Sequence, residues 1–255
     1  LGFILADGHI NSRHRALEIG LAAKDVEHLK VFCQTVRYDG GLQEKNDGRA
    51  YVLRLYSKKM FTSLSRFVEH NKTLTCSPVE LQAHLMSAFW RGVFDGDGCF
   101  CKYNRRKSNG QIREEWSASL VGTLAMVVGL KDYLHSQCGQ PITGTIVELN
   151  GAYRLMMSGW KPSKIVAQIL YKDANVSLGR KHQLALELMC KQEQAPIISH
   201  YTSEDLMPLK ERLGSWEKVA SHLGVSRNGL YKHLRKLKIS LEQRKKRVHK
   251  NSSKQ

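Results

Sequence analysis

The chain has 255 residues, 42% of them apolar and 25% charged, and 40 Lys+Arg against 23 Asp+Glu give it a net charge of +17. That size supports one or two hydrophobic cores plus an appendage, and the positive surplus favours a polyanionic partner, nucleic acid or an anionic membrane surface. No run of about 18 apolar residues is present to cross a membrane, no signal peptide is recognisable, and six cysteines without a CxxC pair read as ordinary thiols of a reducing, intracellular compartment.

The chain opens on Leu1-Gly2-Phe3-Ile4-Leu5-Ala6-Asp7-Gly8. This reads as a short helix that stops at its Asp-Gly, with a left-handed glycine at the C-terminus. It starts without a preceding turn or a Met, so the natural N-terminus is expected upstream. Ala16 to Leu21 alternates as a strand, with Arg13-His14-Arg15 turning into it. Asp25 is placed to cap a helix through Val26, Leu29, Phe32 and Val36. Leu42–Lys45 and Tyr51–Tyr56 form a hairpin around Asn46-Asp47-Gly48. A second helix follows, with Met60, Phe61, Leu64 and Phe67 inward. His70 to Pro78 is a linker.

Val79 to Gly98 is a longer helix, with Leu81, Leu85, Phe89 and Val93 at helical spacing, and it too ends on Asp97-Gly98. Then come a strand from Cys99 to Tyr103, a basic loop from Asn104 to Gly110, and a partner strand from Ile112 to Val121. Leu124 to Leu134 is a helix. Thr143–Leu149 and Ala152–Met157 pair around Asn150-Gly151, a strong hairpin signal. Helices at Ser163–Tyr171 and Arg180–Lys191 close the segment. The second half repeats the first, element by element, as helix, two strands, helix, two strands, helix, which implies a pseudo-twofold molecule in one chain.

Aligned on their Asp-Gly pairs, the two helices match at Gly2 and Gly92, Ala6 and Gly96, Asp7 and Asp97, and clash only at Leu5 and Asp95. Small residues four apart share one helix face, and two such faces let backbones approach closely. Asp7 and Asp97 then arrive together at the negative ends of two helix dipoles, where bound divalent cations would compensate them. Paired metal ions are a standard device for phosphodiester cleavage.

Both copies resemble the motif of the LAGLIDADG homing endonucleases, the second closely and the first without its earlier acidic residue at Leu5. The resemblance covers about residues 1–195. It implies an α+β fold of two αββαββα halves with saddle-shaped antiparallel sheets, spanning residues 1–72 and 79–195. It also implies a metal-dependent, site-specific double-strand DNA endonuclease using Mg2+, for which Ca2+ or Mn2+ can substitute. By resemblance the ligands are Asp7 and Asp97 with the carbonyls of Ala6 and Gly96, and Lys72 and Lys181 stand near the scissile phosphates. The water-positioning residue at the end of the second strand is unassigned, since the two halves read Ala22-Ala23-Lys24 and Gly122-Thr123 there.

In this family the sheets lie in the DNA major groove. The strand residues for that use are Arg15, Gln43, Lys45, Arg49, Arg54, Lys102, Arg105, Arg106, Lys107, Arg113 and Arg154, with Tyr51, Trp116 and Tyr153 among them. Arg and Gln make bidentate contacts to base edges, and Lys neutralises phosphate.

The last 55 residues differ in kind. Helices at Ser203–Leu213 and Trp216–Leu223 are followed by Gly224-Val225-Ser226 and a third helix through Leu230 and Leu234. Ala220, Gly224 and Leu230 have helix-turn-helix spacing, so residues 201–240 read as a second, all-α DNA-binding domain. Arg227, Asn228, Tyr231, Lys232 and Arg235 would face DNA from its last helix. The segment carries 14 Lys+Arg against 5 Asp+Glu, a net +9, and 241–255 reads as a disordered basic tail. The expected protein is a monomer on a long, asymmetric duplex site. Two other readings stay open: a non-cleaving transcription regulator of similar domain pairing, and a maturase that binds intron RNA.

Overall fold

A computed structural model describes residues 1–68, 75–106, 110, 112–191 and 197–238. These fall into two compact units, Leu1–Lys191 and Gln192–Gln255. No helix among the described residues is long and apolar enough to cross a membrane.

The first unit contains the two expected halves. In chain order the first half runs α1 (Gly2–Asp7), β1 (Gly8–Asn11), β2 (Ala16–Ala22), α2 (Val26–Thr35), β3 (Gln43–Lys45), β4 (Ala50–Tyr56) and α3 (Lys58–Leu64). The second runs α4 (Ala83–Asp97), β5 (Gly98–Arg106), β6 (Ile112–Gly122), α5 (Leu124–Cys138), β7 (Thr145–Leu149), β8 (Ala152–Ser158) and α6 (Trp160–Tyr171), followed by α7 (Gly179–Cys190). The sheets are antiparallel and have the same topology, β1-β2-β4-β3 and β5-β6-β8-β7. This is the α+β architecture that the repeat implied. Asn150 and Gly151, at φ 48° and 86°, make the expected tight turn between β7 and β8.

The core is continuous across the halves. Phe3, Ile4 and Leu5 of α1 join Phe89, Trp90, Val93 and Phe94 of α4 and the inward faces of both sheets. Strand alternation decides which residues those are. Leu17, Ile19, Leu53 and Leu55 point to the helices, as do Trp116, Ala118, Leu120, Leu155 and Met157. Three expectations fail here. Trp116 is buried, and Tyr51 and Tyr153, which pair with Leu21 and Gly122, pack against the core instead of facing outward. Phe67 and Leu85 are exposed, while Trp90 and Phe94 take the buried stripe of α4. Strand β5 continues through Asn104–Arg106, three residues into the expected loop.

The second unit packs α8 (Ser203–Leu213), α9 (Trp216–His222) and α10 (Arg227–Lys236) around Ile198, Leu206, Trp216, Val219, Ala220, Leu230 and Leu234. Thr202 and Asp205 form a capping box that starts α8. Gly224 has φ 65° between α9 and α10, the left-handed turn that its position requires. The Ser226 hydroxyl accepts from the Gly229 N–H to cap α10.

Candidate active site

The site begins at the seam between α1 and α4. A Cβ built on Gly2 would fall inside the Phe89 carbonyl, and one on Gly92 would stand 2.5 Å from the Phe3 nitrogen. One on Gly96 would overlap the Ala6 Cβ and lie 3.0 Å from Asp7 Oδ2. The two helices therefore touch backbone to backbone through their small residues, and the Asp7 carboxylate lies against the last turn of α4, beside the residue that precedes Asp97.

Each helix passes directly into the first strand of its half, β1 or β5, at one edge of the sheet. Here the reason for the glycine differs from expectation. Gly8 (φ −79°) and Gly98 (φ −89°) are extended, not left-handed. Glycine is needed because a Cβ would lie 2.6 Å from the Ile4 carbonyl in one copy and 2.5 Å from the Phe94 carbonyl in the other. Asp97 lines a cavity of about 140 Å³ with Leu5, Ala6, Cys76, Val93, Val121, Gly122, Thr123, Met126 and Ala152. Thr123 is occupied there: its hydroxyl donates to the Cys76 carbonyl at 2.5 Å and accepts from the Met126 N–H at 3.2 Å.

Lys181 lies in the first turn of α7 rather than in a loop, and it is 2% exposed. Its ammonium donates to the carbonyls of Phe94 (2.8 Å), Asp95 (2.6 Å) and Gly96 (3.2 Å). These carbonyls belong to the last turn of α4, where that of Phe94 also accepts from the Gly98 N–H, so a lysine of α7 caps the motif helix. Burial, helped by neighbouring Arg180, lowers its pKa to about 8, while Asp95, Cys99 and Asp7 pull the other way. Lys72 lies outside the described residues.

Asp95, the acidic residue missing from the first copy, is buried. It accepts from the Tyr171 hydroxyl at 2.6 Å and from the Leu178 N–H at 3.0 Å. Burial raises its pKa, and those two hydrogen bonds oppose the rise. Ser87, Arg91 and Asp95 recur at intervals of four, so they share one face of α4. Ser87 donates to the Ile169 carbonyl and Arg91 to the carbonyls of Leu170 and Val176. This polar stripe fastens the segment between α6 and α7, and so places Arg180 and Lys181. Arg180 reaches Asp25 of the first half at 3.0 Å. His28 is buried against Phe3, and burial lowers its pKa against the pull of Asp95, the Ser177 backbone, Asp25 and Asp7. The spacing of Ser87, Arg91 and Asp95 was visible in the sequence, whereas nothing local pairs Asp25 with Arg180.

The outer face of each sheet follows from the registers. On the first, Gln43, Lys45 and Arg54 share a face with His9, Asn11 and Glu18, and Arg54 lies 3.3 Å from Glu18. Arg15 (φ 47°) is exposed in the β1–β2 turn, and Arg49 ends the β3–β4 turn. On the second, Arg105 and Arg113 stand directly opposite each other and Arg154 is exposed on the same face. Like charges so placed cost stability unless an anion lies between or over them, and Glu115, 3.6 Å from Arg105, offsets them only in part. Lys102 does not belong to this face. It pairs with inward Trp116, sits over its ring, and forms an ionic cluster with Glu114 and Glu187. Arg106 has the same parity as Lys102 but lies exposed at the far end of β5. Lys107 lies outside the described residues.

In the second unit Asn228, Lys232 and Arg235 are exposed on α10. Arg227 pairs with Glu217 of α9 at 3.0 Å and stacks on Tyr231.

Among the described residues no three His, Cys, Asp or Glu side chains are placed to hold a metal together. All six cysteines are free. The donors at the seam are two carboxylates with main-chain carbonyls, the hard oxygen ligands that Mg2+ and Ca2+ take.

No family model matches the sequence, and no curated protein matches it. Solved structures do match by shape. The meganuclease I-SmaMI bound to uncleaved DNA in the presence of calcium ions aligns at a TM-score of 0.52 and 13% identity, over 94% of this chain and 97% of that one. I-SmaMI on an uncleaveable DNA with a TTCT central four aligns at 0.51 and 12% identity, over 93% and 95%. The I-LtrWI LAGLIDADG homing endonuclease bound to target DNA reaches 0.48 and 11% identity, over 82% and 93%. At these identities the likeness is one of fold, and the fold of this chain is that of the LAGLIDADG homing endonucleases.

Proposed function

We propose that this protein is a site-specific double-strand DNA endonuclease that depends on divalent metal, with Asp7 and Asp97 as the ligand carboxylates. The observation that carries the reading is the seam: glycine contacts at three levels bring the two Asp-Gly helix ends together. The carbonyls of Ala6 and Gly96 complete the donor set. Bound Mg2+ would supply charge stabilisation at the phosphate and an activated water.

The protein's own residues hold that arrangement. Lys181 fixes the last turn of α4, and with it the Gly96 carbonyl and Asp97. Asp95, Arg91 and Ser87 hold the segment that presents Lys181. Lys181 is therefore a positioning residue, since its ammonium is engaged with carbonyls. The outer sheet faces contact the duplex on either side of the cut, and the second unit acts as a helix-turn-helix that docks on a flanking stretch. A tethered second module raises affinity through effective concentration.

The test is Asp97→Asn in the full-length chain. The variant should bind a selected duplex as the wild type does, with cleavage in Mg2+ abolished. Cleavage at the wild-type rate would remove Asp97 from the site.

A further inference from the structure

The two halves share one topology but not one surface chemistry. Equivalent positions can be matched by register from each hairpin turn. Lys45 pairs with Ala50 and Leu149 with Ala152; Gln43 pairs with Val52 and Val147 with Arg154. One step further along the outer face, Arg54 of β4 matches Met156 of β8. Gln43, Lys45 and Arg54 in the first half thus become Val147, Leu149 and Met156 in the second, while Val52 becomes Arg154.

These apolar residues are not core. Val147 is 45% exposed, Leu149 36% and Met156 38%, on the sheet face opposite the helices. Val121 pairs with Arg154 and extends the same face. A contiguous apolar patch on one basic sheet face marks a recognition surface more than a solvated one. Its charged member is Arg154, and Arg105 and Arg113 lie at the other end of the face, so the occupant is a polyanion with apolar groups exposed along it. The DNA major groove is such a surface: thymine presents a 5-methyl group there, and guanine presents the acceptor pair that arginine reads. The patch also has a defined place, because Val121 and Ala152 line the cavity that reaches Asp97.

We infer that β7 and β8 read thymine methyl groups next to the cut, with Arg154 on a neighbouring guanine, whereas the first sheet reads its half-site through hydrogen bonds. The inference rests on the endonuclease reading above and assigns the base class to its second half-site.

The experiment selects duplexes from a randomised library with the full-length Asp97→Asn protein. Single thymines of the selected duplex are then replaced by deoxyuridine, which removes only the methyl. Binding should weaken about four-fold per methyl read, the worth of burying one such group. The sensitive positions should lie close to the cut on one side only. Val147→Ser and Met156→Gln, both at exposed positions and checked for an unchanged melting temperature, should bind the thymine and deoxyuridine duplexes equally. A selected site without thymine beside the cut overturns the inference, as does tight binding indifferent to deoxyuridine or a sensitivity that survives both substitutions. Failure to enrich any duplex overturns the DNA reading itself.

Discussion

Gly92→Ala tests the seam with a single methyl group. The new Cβ would lie 2.5 Å from the Phe3 nitrogen, and 3.1 and 3.3 Å from the Gly2 carbonyl carbon and Cα. All three are backbone atoms, so no side-chain rotation relieves them. A nonbonded contact settles near ~3.5 Å, and α1 must retreat by about 1 Å to reach it. Overpacking of this kind costs about 1–3 kcal/mol, and the better helix propensity of alanine returns about 1 kcal/mol. The net loss is up to about 2 kcal/mol. At about 2–4 °C per kcal/mol for a domain of this size, calorimetry should show the larger unit melting lower by up to about 8 °C. Gly179→Ala is the control, a glycine in a helix with nothing within 4 Å of its would-be Cβ, and it should not lower the melting temperature. Because α1 carries Asp7, the same retreat should cut the cleavage rate by about 100-fold, the order of loss expected for a 1 Å misplacement. Gly92→Ala melting at or above the wild type would refute the backbone contact, and full activity would refute its link to the site.

Three further outcomes are expected. Lys181→Met removes the ammonium from the Asp95 and Gly96 carbonyls, leaving Phe94 with its Gly98 N–H, and should cost about 1–3 kcal/mol, read as a lower denaturation midpoint; an unchanged midpoint would mean that Lys181 does not cap α4. Glu114 is held at a pKa of about 2, first by Lys191, then by the Trp116 N–H and Lys102, so its contribution is present above about 4.5 and lost as pH falls toward 2. Glu114→Gln should therefore flatten the acid side of the melting-temperature profile, and identical profiles would exclude the cluster as a source of acid sensitivity. Removing residues 201–255, with their net +9, should weaken DNA binding and flatten its salt dependence, by ~0.9 in log K per decade of salt for every phosphate that the shortened chain no longer neutralises. It should also shorten the footprint on one side with the cut unmoved; a footprint of full length would show that this segment does not dock on the duplex.

The repeat, the strand alternation and the two Asp-Gly helix ends can be read from the sequence because each is a local or periodic signal. Side-chain period sets the faces of β2, β4, β6 and β8, and Gly2, Ala6, Gly92 and Gly96 declare a close helix contact wherever the partner lies. The hairpin at Asn150-Gly151 needs only the φ preferences of two residues. Strand parity, applied strictly, also moves Trp116, Tyr51 and Lys102 off the outer face; their residue types suggest that face, and register overrules them. Other features needed the fold. Lys181 has the sequence position of a phosphate-facing lysine, but its role depends on the end of a helix more than 80 residues away. Asp95 became an anchor only when Tyr171 and Leu178 reached it, and Arg180 found Asp25 only across the two halves. Burial decides such roles, because an ionisable group removed from water must be met by whatever partners the packing supplies, and the tertiary structure alone determines which partners those are.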